Sequence, residues 1–156
     1  MRLRLIAPAT QEGRQKRKKA LLPPLGLATV AALTPPGIDV SLTDENVTDI
    51  DFEEPADLVG ITALTVTAKR AYEIADTYRA RGVKVVLGGI HPSVLPEEAG
   101  HHADAVVVGE AEGVWSDLIE DFRANKLKPL YRQSERPSVL ACPWPDEICS
   151  FEERTV

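Results

Sequence analysis

Cysteine is scarce in this sequence: Cys142 and Cys149 are its two, late in the chain with six residues between them. That spacing is no zinc pattern, and two late thiols do not make a disulfide framework. Long hydrophobic runs are missing as well. No apolar stretch approaches the ~18 residues of a membrane-spanning helix. Met1-Arg2-Leu3-Arg4 opens an amphipathic strand rather than an apolar signal core, so the expected location is cytoplasmic, with no membrane partner. Basic excess is lacking too. The net charge is −6 over 156 residues, and an acidic chain exerts no general attraction on nucleic acid or an anionic membrane. The basic run Arg14 to Lys19 is confined to one expected loop and reads as a solvated segment.

The patterns of several enzyme classes are also absent. Pro8 to Gly13, after the first expected strand, carries neither GxGxxG nor GxxxxGK[ST], which argues against a dinucleotide or a triphosphate. No acidic cluster follows that strand to act as a phospho-acceptor site. No nucleophile–base pair is evident, and the three histidines form no metal constellation with the carboxylates. His101-His102 reads as a solvated pair.

What is present is a chain 44% hydrophobic, enough for one ordinary domain with a core. Strands are expected at residues 3–7, 38–43, 58–63, 83–87 and 105–108. Between the first two lies a loop of about sixteen residues to Pro23, long for a compact domain. A helix from Pro24 to about Leu33 follows, then an acidic, Pro55-broken stretch at residues 47–56 expected to be a short irregular segment or one helical turn. Ala71, Ile74, Ala75 and Tyr78 repeat at helical spacing, as do Val114, Trp115, Leu118, Ile119 and Phe122. Pro96-Glu97-Glu98 opens a short helix, and Leu130-Tyr131 is a candidate for a short edge strand. The alternation predicts an α/β fold: a flavodoxin-like (Rossmann-like), doubly wound, five-stranded parallel sheet of order 2-1-3-4-5. Residues 1–132 form the expected domain. Residues 133–156, with Pro137, Pro143 and Pro145, read as a linker or tail.

Gly88-Gly89 directly follows the fourth strand. Two glycines there read as a tight strand-to-loop turn or, because they permit unusual backbone angles, as a place where a ligand lies against the main chain; in open α/β sheets that edge binds ligands. The topology brings Thr62, Leu64 and Thr65 from the third strand to the same edge as Gly88, Gly89, Ile90 and His91 from the fourth. Gly109 and Glu110 join from the fifth, and Pro24, Leu25 and Gly26 from the first helix. Together they predict a groove, polar at its mouth and narrow within, for a ligand with a large face and a tail. His91 is equally readable as a ligand contact or as a loop histidine packed on Pro92. A valine at position 89 is expected to plug the slot and leave the fold intact.

Pro23-Pro24-Leu25-Gly26-Leu27, Asp57-Leu58-Val59-Gly60-Ile61-Thr62, Leu87-Gly88-Gly89-Ile90-His91-Pro92-Ser93 and Val108-Gly109-Glu110-Ala111-Glu112 stand in an order with a known counterpart. They resemble the cobalamin (vitamin B12)-binding domain that precedes the catalytic domain of many radical S-adenosylmethionine enzymes, over roughly residues 1–125. The resemblance implies that Thr62-Ala63-Leu64 and Gly88-Gly89 line a slot for the cofactor's nucleotide tail, with Pro92 on the adjoining loop. The Asp-x-His-x-x-Gly motif, whose histidine ligates cobalt in the wider superfamily, is absent. What is implied is therefore base-off cobalamin with no histidine beneath the metal. A 4Fe-4S cluster and S-adenosylmethionine are implied only for a downstream catalytic domain in cis; Cys142 and Cys149 do not fit that domain's Cys-x-x-x-Cys-x-x-Cys, and this chain alone is expected not to be catalytic. Two other readings stay open at this level. One is a cofactor-free regulatory or interaction domain; the other is a small-ligand enzyme using Glu110 or His91 as acid or base.

Overall fold

The computed structural model describes residues 1–10 and 24–133. The tail from 134 onward, both cysteines and the basic run therefore lie outside the described residues. Six parallel strands form one sheet of order β2-β1-β3-β4-β5-β6. They are β1 (Arg2–Ala7), β2 (Asp39–Asp44), β3 (Leu58–Thr62), β4 (Lys84–Gly88), β5 (Ala105–Val108) and β6 (Leu130–Arg132). The flavodoxin-like fold is as expected, but the sheet has six strands instead of five. The sixth is the Leu130-Tyr131 edge segment, and it forms because Val106, Val107 and Val108 need a ladder partner on their outer side.

Helices cover both faces. On one side lie α1 (Leu25–Leu33) and α5 (Trp115–Arg123). On the other lie α2 (Ala68–Ala80) and α4 (Pro96–His102), with the short α3 (Ile90–Val94) between β4 and α4. Strand alternation feeds two cores. Leu3, Leu5, Leu58, Val86 and Val107 point toward α1 and α5, where they meet Leu27, Trp115 and Leu118. Ile6, Val59, Ile61, Val85 and Leu87 point toward α2, where they meet Ala71, Ile74 and Tyr78. β3 is apolar on both faces because it is covered on both.

The irregular stretch between β2 and β3 is held by a buried cation. Arg4 is 3% exposed; it donates to the Asp51 carbonyl and to the Tyr78 hydroxyl, and pairs with Glu54 at 2.9 Å. A second buried charge, Glu45, follows β2. One of its oxygens accepts the Ala9 N–H at 3.0 Å, and Arg70 of α2 reaches the carboxylate at 2.6 Å. The exits of β1 and β2 are thereby tied to α2.

Candidate functional site

Between the sheet and the α1/α5 layer, at the carboxyl ends of the strands, lies a cavity of about 150 Å³. Its origin is a run of small residues on one face. At the carboxyl ends of β3 and β4 the positions facing α1 and α5 are 60, 62, 86 and 88, and three of these four are Gly60, Thr62 and Gly88. Where side chains would otherwise fill the space beneath the helices, the floor is backbone. A Cβ on Gly60 would stand 2.9 Å from Leu5 Cδ2, so β3 lies against Leu5 as closely as glycine allows. Gly26, Leu27, Thr29 and Val30 of α1 and Trp115 of α5 complete the walls, with Gly109, Glu110, Ala111 and Glu112 at the mouth.

The rim is stitched by hydrogen bonds. The Gly88 carbonyl accepts the Ala63 N–H at 2.9 Å, and the Ala63 carbonyl accepts the His91 N–H at 3.0 Å, which locks the tips of β3 and β4 together. The Ser93 hydroxyl donates to the Gly89 carbonyl at 2.8 Å and accepts the Gly109 N–H at 2.9 Å, linking the tips of β4 and β5. Gly89 has φ 94°, and a Cβ there would meet Thr62 Oγ1 at 2.7 Å and the Ala63 carbonyl oxygen at 3.0 Å. Gly109 also has positive φ, at 87°. The Thr67 hydroxyl accepts the Leu64 N–H at 3.1 Å and fixes the turn that leads into α2. These bonds hold the mouth in one shape.

Of the residues singled out from sequence, Gly26, Thr62, Gly88, Gly89, Gly109 and Glu110 line the cavity. Pro24, Leu25, Ala63, Leu64, Thr65, Ile90, His91 and Pro92 do not. Leu25, Leu64 and Ile90 are instead exposed aliphatic side chains on the same edge, 62%, 49% and 64% accessible. His91 is buried, because α3 begins directly after Gly89 and turns its side chain to the other face of the sheet. There its Nε2 lies 3.4 Å from Glu98 Oε1 and its ring 5.9 Å from that of Tyr72, which stacks on His102 at 4.3 Å. Burial, and then the Glu98 carboxylate, push the Tyr72 phenol up to about 12. The Tyr72 hydroxyl, near Glu98 but outside normal hydrogen-bond geometry, and then His91 hold the Glu98 carboxyl below the usual range. The expected loop carrying His91 is thus a helical turn, and His91 and Glu110 belong to different environments.

Sequence reasoning did not single out Leu5, Gly60, Val86, Val107, Trp115 or Ser93 for the site. The period-2 alternation of β3 and β4 could have flagged Gly60, which shares a face with Thr62. Trp115 reads from sequence only as part of an apolar helix face. Among the described residues no group of three or more His, Cys, Asp and Glu side chains is placed to hold a metal ion, and no helix there is long and apolar enough to cross a membrane.

A doubly wound parallel sheet with a glycine-floored cavity at its carboxyl edge defines a flavodoxin-like ligand-binding domain. The model of the B12 binding domain family matches residues 18–119, and the chain belongs to that family. It is 48% identical over 118 residues to a bacteriochlorophyllide d C-8(2)-methyltransferase of Chlorobaculum tepidum, an alignment that covers 75% of this chain and 26% of that protein. A bacteriochlorophyllide d C-12(1)-methyltransferase of the same organism is 37% identical over 145 residues, covering 91% and 32%. An uncharacterized methyltransferase of Pyrococcus horikoshii is 32% identical over 142 residues, covering 82% and 31%. The chain spans about a quarter to a third of the length of these relatives.

Proposed function

We propose that this chain is the cobalamin-carrying domain of a radical S-adenosylmethionine methyltransferase and binds the cofactor base-off, with its nucleotide tail in the cavity and no histidine beneath cobalt. The observation that carries this reading is the cavity itself, floored by Gly60 and Gly88 in a member of the B12-binding family. Glycines at 88 and 89 let a ribose and phosphate approach the main chain, and the Thr62 hydroxyl can hydrogen-bond the base. The exposed Leu25, Leu64 and Ile90 beside the mouth offer apolar contact to a macrocycle, and the neighbouring Ala63, Thr65, Pro24 and Pro92 shape that edge. Among the described residues no histidine lines the cavity, in keeping with a cobalt left free of an imidazole. Bound cobalamin supplies a metal centre that accepts and donates a methyl group; the protein holds and orients it. The relatives named as methyltransferases are three to four times longer than the matched segment, which leaves room in the parent protein for a catalytic domain carrying the 4Fe-4S cluster and S-adenosylmethionine.

The test is direct. The purified chain is mixed with hydroxocobalamin or methylcobalamin, freed of unbound ligand by gel filtration, and its visible spectrum recorded. Retained corrinoid with a base-off spectrum is expected. Absence of retained corrinoid across several redox states and pH values, in both this chain and the full-length parent, overturns the proposal.

A further inference from the structure

The depth of the cavity differs in chemistry from its mouth. At the deep end the walls are Leu5, Val86, Leu27 and Trp115, all buried, around the bare backbone of Gly60, and buried Val107 continues the apolar wall beside Gly88. The polar groups near that end are already engaged. The Trp115 indole N–H donates to the Thr34 hydroxyl at 2.9 Å, and the Thr29 hydroxyl donates to the Leu25 carbonyl at 3.0 Å. The peptide groups of the floor belong to the sheet, in which Leu5 pairs with Gly60 and Gly60 with Val86. Polar side chains occur toward the mouth, where Thr62, Glu110 and Glu112 stand. The volume, about 150 Å³, is one at which apolar protein cavities take up a benzene-sized ring.

Resting on the reading that the nucleotide tail enters this cavity, we propose that the chain selects among corrinoids by their lower base, accepting apolar bases and discriminating against purines. A benzimidazole presents one free ring nitrogen, which the Thr62 hydroxyl can meet, and otherwise offers carbon to carbon walls. A phenol base presents no ring nitrogen. An adenine of similar size carries three ring acceptors and an exocyclic amine, and the walls described leave most of them without partners. Burying a polar group unpaired costs far more than the hydrogen bond it forgoes would have gained. Size does not make this distinction, because benzimidazole and adenine are both fused five- and six-membered rings; the chemistry of the walls does.

The experiment measures, by equilibrium dialysis, competition of four corrinoids in their hydroxo forms with bound hydroxocobalamin: cobalamin itself, p-cresolyl cobamide, adeninyl cobamide and tail-less cobinamide. Cobalamin and p-cresolyl cobamide are expected to bind within a few-fold of each other. Adeninyl cobamide is expected to bind about tenfold or more weakly, the equivalent of one buried polar group left unpaired. Its base leaves cobalt more readily than benzimidazole does, so the cost of detaching the base runs opposite to the expected ranking and cannot produce it. Cobinamide separates the two claims. If cobinamide binds weakly while adeninyl cobamide equals cobalamin, the base selection is wrong and the tail placement stands. If cobinamide binds as tightly as cobalamin, the tail is not in the cavity and both fall. Failure of all four to bind removes the functional reading beneath them.

Discussion

At position 88 an added Cβ would rest 3.7 Å from Val107 Cβ, an ordinary contact, whereas at position 89 it would press on Thr62 Oγ1 and the Ala63 backbone from a φ of 94°. The two adjacent glycines therefore serve different purposes. Gly88 keeps space open on the cavity floor, and Gly89 makes the turn into α3 possible. The sequence-based expectation that a valine at 89 would plug the slot without disturbing the fold does not survive this geometry. Gly88→Val is the plugging variant: its γ-carbons enter the cavity from a strand position that favours a β-branched residue. It is expected to lower cobalamin affinity by about a hundredfold or more, the loss of roughly 3 kcal/mol, while its urea midpoint stays near the parent's. Gly89→Val is expected to lower stability by about 1–3 kcal/mol from backbone strain alone, whatever its effect on ligand. Equal affinity of Gly88→Val and the parent, measured by dialysis, would move the slot elsewhere.

At the scale of elements, the short strand β6 shows how side chains recruit an edge. The Tyr131 hydroxyl donates to Asp121 of α5 at 2.9 Å and accepts the Lys128 N–H at 3.0 Å, while Lys128 Nζ pairs with Asp121 at 2.8 Å. Lys128 and then Tyr131 hold the Asp121 carboxyl below its usual value of 3.8. A depressed carboxyl pKa means that the unfolded chain takes up the proton first as pH falls. The stabilisation is fully present above the usual carboxylate value and disappears as pH drops through the lower folded value. Asp121→Asn is accordingly expected to lower the urea midpoint at pH 7 and to flatten the decline of that midpoint below about pH 4. Parallel pH curves for variant and parent would show that this cluster does not fasten β6. The same logic of buried or half-buried polar ties explains Glu45, whose contacts with Ala9 and Arg70 fasten the segment leaving β1 and the end of β2 to α2.

For the whole molecule, the cavity is a shared space: β1, β3, β4 and β5 supply its floor, and α1 and α5 its roof. A ligand seated there touches elements distant in sequence and binds the folded state alone. At a free concentration of one hundred times Kd it should stabilise the domain by about 2.7 kcal/mol, a rise in melting temperature of the order of 10 °C for a domain this size. Thermal melts with and without hydroxocobalamin read this. Retained cobalamin with no shift would mean a superficial seat that does not bridge the layers.

The local code of this chain determined a great deal without any structure. β-branched runs, Pro-Pro-Gly and Arg-Gly stops and helical apolar spacing set the alternation of elements, and right-handed crossovers leave one economical topology for them. That reasoning also delivered Thr62, Gly88, Gly89 and Gly109 to one edge, since strand ends meet there whatever the side-chain detail. Tertiary structure alone decided which of these open inward. His91 and Gly88 are three residues apart, yet α3 sends one into the opposite layer while the other floors the cavity. Gly60, Trp115 and Leu5 became site residues only when strand alternation and helix packing placed them around the same void. Leu130-Tyr131 was legible as a candidate edge strand, but its place beside β5 rests on the ladder to Val106–Val108 and the tie to Asp121, which no local pattern in three residues specifies. Sequence carries the period of each element; which face meets which neighbour, and where a missing side chain leaves room, are properties of the packed whole.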